Sequence, residues 1–239
     1  MILEAKDLVH FYGRRKVLEQ IHIQAKEGEI IGLLGPNGAG KTTCFRILAG
    51  LMRPSSGRVY LDNKDITGVP LYRRARMGLG YLPQESSVFR SLSVLENILV
   101  VLGIGGMSSG PAKKEAAQIL QEYQLERVAR QPGYTLSGGE RRRLEIARAV
   151  AAKPKILMLD EPFTGIDPVT VDELRGMLKG LKERGIGIIV TDHNARETLK
   201  VIDRSYLIHS GKILLEGNAQ TLLNDEQARR LYLGWEMSL

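Results

Sequence analysis

The sequence predicts an α/β fold with a parallel central sheet, and three observations carry that prediction. Two strongly apolar runs, residues 155–159 and 186–190, do not alternate, as befits central strands covered on both faces. A helical stretch at about 169–184 lies between them and supplies the right-handed crossover that parallel neighbours need. A third apolar run, residues 29–34, passes through glycine-rich chain into a helical spacing over residues 42–51, giving strand, loop and helix in succession.

The other elements follow in order. Residues 3–9 and 18–25 read as strands of a half-buried sheet. The turn Ser55-Ser56-Gly57 precedes a short strand at 58–61, and a strand at 80–82 is stopped by Pro83. Residues 93–152 look helical, interrupted by a Gly- and Ser-rich stretch at 103–111 that reads as an exposed loop. Residues 204–209 and 212–216 flank Ser210-Gly211 and form a hairpin.

The chain has 239 residues, enough for one large α/β domain or two lobes sharing a core. Hydrophobic residues make up 43% and charged residues 26%, as in ordinary folded proteins. The single Cys44 rules out an internal disulfide and fits a reducing compartment. Its place in the first turn of a helix leaves two readings: a small packed side chain, or a thiol acidified by the helix dipole. Met1–Asp7 lacks the basic-then-apolar pattern of a secretory signal. The most apolar stretch, 98–104, is far short of the ~20 residues that cross a bilayer, so action on a membrane would require another chain to span it. The net charge of +7 is densest in Arg73-Arg74-Ala75-Arg76 and Arg141-Arg142-Arg143. No aromatic residues interleave for base stacking, so these runs read as solvated faces and no nucleic-acid partner is expected.

Three segments bear chemistry. Gly35-Pro36-Asn37-Gly38-Ala39-Gly40-Lys41-Thr42 satisfies the phosphate-loop pattern between a strand and a helix. Its glycines let backbone N–H groups converge on phosphate oxygens, and the helix N-terminus adds positive potential. Lys41 is expected to reach the β- and γ-phosphates, and the Thr42 hydroxyl to ligate Mg²⁺. Residues 156–161 end in Asp160-Glu161, two carboxylates at the C-terminal end of a buried strand, where α/β sheets place ligands. Adjacent strand residues diverge, so the two are given different tasks: Asp160 on Mg²⁺, Glu161 as general base toward the attacking water. In Leu136-Ser137-Gly138-Gly139-Glu140 the Ser-x-x-Glu spacing is a capping box that starts a helix. Two glycines in that first turn weaken the helix by ~1 kcal/mol each, a cost that a purely structural cap has no use for. Backbone exposed at a helix N-terminus suits an anion, so Ser137, Gly138 and Gly139 form a second candidate phosphate contact.

The ordered set of motifs resembles the nucleotide-binding subunits of ABC (ATP-binding cassette) transporters, over nearly the whole chain. The resemblance implies a phosphate-loop NTPase core with an antiparallel β subdomain and an inserted α-helical subdomain. Residues 1–90 and 153–220 would form the ATP-binding core, 91–152 the helical subdomain and 221–239 a C-terminal tail. It implies a head-to-tail homodimer with two ATP molecules, each held between one subunit's Gly35–Thr43 loop, Thr43 included, and the other's Ser137–Gly139. By the same resemblance Tyr12 stacks on adenine, Gln84 touches Mg²⁺ and senses the membrane subunit, His193 is the switch histidine near the γ-phosphate, and Asp167 crosses the dimer interface. Thr164-Gly165-Ile166 departs from the Ser-Ala-Leu of many relatives, which bears on cross-interface coupling.

Within that family the segments 81–94, 139–143, 191–199 and 232–234 resemble the lipopolysaccharide-export ATPases. That implies Phe89 and Arg90 lining a groove for integral-membrane permease subunits, and a tail near Tyr232 and Trp235 that helps hold the homodimer. The protein would then sit peripherally on the cytoplasmic side of the inner membrane, or in the cytoplasm when unassembled. The alternatives are the ATPase of a branched-chain amino-acid importer and a non-transport ABC ATPase acting on DNA or ribosomes. The latter is disfavoured by the lack of coiled coils, zinc modules or a second cassette. A regulator that binds without hydrolysing has no need of Glu161 and His193.

Overall fold

The protein is described from a computed structural model covering residues 1–233. The N-terminal half runs β1 (Ile2–Tyr12), β2 (Arg15–Lys26), β3 (Ile30–Leu34), α1 (Lys41–Ala49), β4 (Ser56–Leu61), β5 (Lys64–Asp65), α2 (Leu71–Arg76) and β6 (Leu79–Leu82). A helical lobe follows: α3 (Val94–Ile104), α4 (Ser109–Glu122) and α5 (Gly138–Ala151). The chain then returns through β7 (Ile156–Asp160), α6 (Pro168–Glu183), β8 (Gly187–Thr191), α7 (Ala195–Leu199), β9 (Arg204–His209), β10 (Lys212–Gly217), α8 (Ala219–Asn224) and α9 (Glu226–Ala228).

Two sheets organise these elements. One is antiparallel, ordered β2-β1-β4-β5; the other is ordered β10-β9-β3-β8-β7-β6 and is parallel except for β10. The strands of the parallel sheet feed two cores because successive side chains leave on opposite faces. Leu157, Leu159, Ile188 and Val190 join the helical lobe, while Ile156, Met158 and Ile189 join α1 and the antiparallel sheet. Burial on both faces is why β7 and β8 show no alternation in the sequence.

The structure corrects three readings. The Gly- and Ser-rich stretch is shorter than the expected loop at 103–111, because Ser109, Gly110 and Pro111 open α4. First-turn N–H groups have no intrahelical acceptor, so proline is tolerated there. Between α4 and α5 the expected helix is replaced by loop and two short 3-10 turns. The basic runs are not simply solvated: Arg74 is fully buried and Arg142 is 8% exposed. Arg74 donates to the carbonyls of Ile47, Leu48, Ile66 and Val69 at 2.6–3.0 Å, tying down the C-terminal end of α1. Arg142 pairs with Glu145 and Arg143 with Glu173.

Candidate functional site

The phosphate loop leaves the end of β3 and enters α1. Gly35 has φ of 145°, and a Cβ there would meet the Ile208 carbonyl oxygen at 2.0 Å, so only glycine lets the loop leave β3 past β9. Unlike α3, α5 and α6, α1 has no side-chain cap, which leaves its first-turn N–H groups directed into the loop. The Lys41 amine donates to the carbonyls of Gly35 at 2.6 Å and Pro36 at 3.0 Å, which holds it at the centre of the loop. Burial lowers its pKa, and the negative charges of Glu161 and Asp192 partly offset that. Ala39 turns into the core and braces the loop, its carbonyl accepting from Gly211 N–H at 3.0 Å.

A cleft of about 300 Å³ lies over this loop, lined by Asn37, Gly38, Gly40, Lys41, Thr42, Thr43, Tyr12 and Glu161, with Arg15 and Val17. Tyr12 stands at its rim, half exposed, its hydroxyl 3.5 Å from Thr43 Oγ1 and its ring edge-on to His10. The sequence reading missed Arg15 and Val17; their signal was closeness in the chain to Tyr12, across the turn from β1 to β2.

Asp160 ends β7 almost fully buried. Burial first, and then the Glu161 charge, raise its pKa above the ordinary carboxylate range; Tyr81 Oη approaches Asp160 Oδ2 at 3.5 Å. Glu161 takes φ of 47°, a left-handed conformation that costs a non-glycine residue on the order of 1 kcal/mol. Its N–H is held by the Thr191 carbonyl at 2.7 Å. The conformation sends its carboxylate to the Gln84 amide, which donates at 2.7 Å, and to His193 Nδ1 at 3.4 Å. Thr164 Oγ1 is 3.5 Å from the same histidine nitrogen. Gln84, Glu161 and His193, remote in sequence, therefore form one polar cluster at the C-terminal ends of β6, β7 and β8.

The fold does not bring Ser137, Gly138 and Gly139 into that cleft. They line a second concavity with Gly165, Ile166 and Asp167, and the two depressions share no lining residue. Ser137 and Glu140 make both bonds of the capping box. A Cβ on Gly139 would meet Thr170 Oγ1 at 2.9 Å, so this glycine has a packing reason as well, whereas one on Gly138 would meet nothing. Of the two glycines in this capping turn, only Gly138 is therefore left without a packing reason. Asp167 caps α6, accepting from the N–H of Val169 and Thr170, each at 3.1 Å, and from the Thr170 hydroxyl at 2.6 Å.

Phe89 and Arg90 lie on a further exposed surface. The Arg148 guanidinium sits 4.4 Å from the centroid of the Phe89 ring and donates to the Ser87 carbonyl. Buried Asn97 clamps Phe89 from behind, accepting from its N–H at 2.9 Å and donating to its carbonyl at 3.0 Å. Neither partner was read from the sequence, where nothing marks a buried asparagine in an apolar helix as a loop clamp. Cys44 is fully buried and its thiol is pushed up to about 12, which rules out the acidified-thiol reading: burial outweighs the helix dipole. Tyr232 turns into its own chain, while Trp235 lies outside the described residues.

The oxygen donors expected for Mg²⁺, the Thr42 hydroxyl, the Gln84 amide and the Asp160 carboxylate, fit a hard cation. No group of three or more His, Cys, Asp or Glu suited to a metal occurs among the described residues.

The sequence pattern of the ABC transporter family matches residues 18–164. A probable ABC transporter ATP-binding protein of Azorhizobium caulinodans is 49% identical over 99% of this chain and 84% of its own length. The lipopolysaccharide export system ATP-binding protein LptB of Haemophilus influenzae is 45% identical over 100% of this chain and 99% of its own, and that of Escherichia coli K12 is 44% identical over 99% of each. Among solved structures, the ADP conformation of the cassette MJ1267 superposes with a TM-score of 0.88 at 28% identity, covering 98% of both chains. The dimeric post-hydrolysis state of the cassette MJ0796, bound to ADP and Pi, gives 0.80 at 30% identity, covering 91% of this chain and 98% of that one. The chain belongs to the ABC transporter family, as an ATP-binding cassette that hydrolyses ATP.

Proposed function

We propose that two copies of this chain hydrolyse ATP between them and so drive integral-membrane permease subunits in lipopolysaccharide export. The observation that carries the reading is the Gln84–Glu161–His193 cluster beside the phosphate loop. Tyr12 supports the adenine, and Gly35, Pro36, Asn37, Gly38, Ala39, Gly40, Lys41, Thr42 and Thr43 enclose the phosphates. Glu161 takes a proton from the attacking water, and His193 holds the γ-phosphate side of the cluster. Thr42, Gln84 and Asp160 would hold Mg²⁺, which supplies charge neutralisation on the β- and γ-phosphates.

Ser137, Gly138 and Gly139 act in trans. Separation of the two concavities within one chain supports this, as does the dimeric form of the MJ0796 cassette. Asp167, beside the second concavity, couples the two copies. Phe89 and Arg90 face the permeases. No helix among the described residues is long and apolar enough to cross a membrane. The chain works peripherally, beside the permeases, on the cytoplasmic side of the inner membrane. The names of the relatives favour lipopolysaccharide export over the amino-acid importer.

Glu161→Gln should lower turnover by about 10²–10⁴ and accumulate an ATP-bound dimer. Steady-state phosphate release and size-exclusion chromatography in Mg-ATP measure both, and near wild-type hydrolysis would remove Glu161 from the site. For the cargo, depleting the protein in its own cells should stop newly made lipopolysaccharide from reaching the outer membrane. Undisturbed delivery would sink the cargo and leave the ATPase standing.

A further inference from the structure

The C-terminal segment reaches the hydrolytic cluster by a route that none of the motifs accounts for. Fully buried Asp192 precedes His193. Its Oδ2 accepts from Phe163 N–H at 2.8 Å and its Oδ1 from Asn194 N–H at 2.8 Å. One carboxylate therefore staples the turn after Glu161 to the turn after His193. The Asp192 carbonyl in turn accepts from the Tyr232 hydroxyl at 3.2 Å. Burial raises the pKa of the same hydroxyl, and the backbone of Gly35, where the phosphate loop begins, faces it and lowers that pKa. The Tyr232 ring packs in a cluster with Leu34, Ala195 and Leu199, which flank those two loops in sequence. A residue of the C-terminal segment thus joins the start of the phosphate loop to the residue before His193.

We propose that Tyr232 is a positioning residue for ATP hydrolysis: its hydroxyl, bonded to the Asp192 carbonyl, fixes His193 relative to the phosphate loop. This rests on the reading of Glu161 and His193 as the hydrolytic pair. The C-terminal segment then sets turnover within its own subunit, separately from any part it has in dimer contacts. Tyr232 acts through His193 and touches no reacting atom itself.

Tyr232→Phe in the full chain removes the hydroxyl and keeps the ring. It should lower kcat about three- to tenfold, the worth of one net hydrogen bond expressed in the transition state. KM for Mg-ATP should stay within about twofold, and Tm should fall by no more than about 2–4 °C. In a His193→Ala background the same change should have no further effect on kcat, as for residues acting as a unit. Unchanged kcat in the single variant overturns the proposal. So does an equal fractional loss with His193 already removed. A variant that does not fold, or that loses activity only in proportion to its folded fraction, makes Tyr232 a packing residue and also overturns it. His193→Ala and Glu161→Gln, measured alongside, test the underlying reading. If both retain near wild-type turnover, the hydrolytic pair itself is wrong. If both lose turnover and Tyr232→Phe does not, only the positioning role falls.

Discussion

At the residue scale, the cluster at the ends of β6, β7 and β8 is held by strain and burial together. The left-handed backbone of Glu161 turns its carboxylate toward Gln84 and His193, while Asp160, one residue earlier, remains in the strand and buried. The raised Asp160 pKa has a consequence for stability. Between its unfolded and folded values the native state binds more protons than the unfolded one, so this group's contribution falls as pH rises through that window. Asp160→Asn cannot ionise and escapes the penalty. In EDTA without nucleotide, its Tm should exceed that of the parent at pH 7.5, and the gap should close toward pH 4. A gap that widened on acidification would mean that Asp160 is stabilised as the anion, against the burial argument.

At the scale of elements, α3, α5 and α6 are capped by Ser93, Ser137 and Asp167, whereas α1, α2 and α4 have no side-chain cap, and of these three only α1 follows the phosphate loop. Ser137→Ala should cost about 1 kcal/mol of stability through loss of the cap alone, read by urea denaturation. α3 also anchors the Phe89–Ser93 loop through Asn97, which donates to the Phe89, Leu92 and Ser93 carbonyls and accepts from Phe89 N–H. Asn97→Ala leaves the half-buried Phe89 N–H without that partner, while the Phe89, Leu92 and Ser93 carbonyls keep the N–H groups of Leu92, Gly133 and residue 97. It should destabilise the protein by roughly 1–3 kcal/mol, the cost of one group left unsatisfied. A loss below about 1 kcal/mol would show that the loop is held by other contacts.

At the scale of the whole molecule, one chain carries two candidate phosphate-contacting loops that open into separate concavities. The proposed composite site of two copies would use both. Ser137→Arg places a long cation in the second concavity while leaving the cleft over the phosphate loop untouched. It should preserve nucleotide binding by the single subunit and abolish ATP-induced dimerisation, measured by fluorescent-nucleotide titration and light scattering. Dimerisation at wild-type strength would contradict the composite site. Phe89→Ala removes the ring that stacks beneath Arg148 and should weaken capture of membrane subunits from solubilised membranes more than it slows hydrolysis.

The division between sequence and tertiary structure follows from range. Local chemistry is written in consecutive residues, so the phosphate loop, the capping box at Ser137, the buried strands β7 and β8 and the hairpin of β9 and β10 were all legible. Resemblance added Tyr12, Gln84 and His193 as candidates, but their mutual distances come only from the register of β6, β7 and β8. Other features rest on contacts between segments far apart in the chain: the buried role of Arg74, the raised thiol of Cys44, the clamp of Asn97 on Phe89 and the inward turn of Tyr232. Periodicity reports which face of an element is apolar, and cannot say which carbonyl or carboxylate will arrive opposite a given side chain. That is set when the sheets and the helical lobe close on one another, and only then do burial and hydrogen bonding fix what each group does.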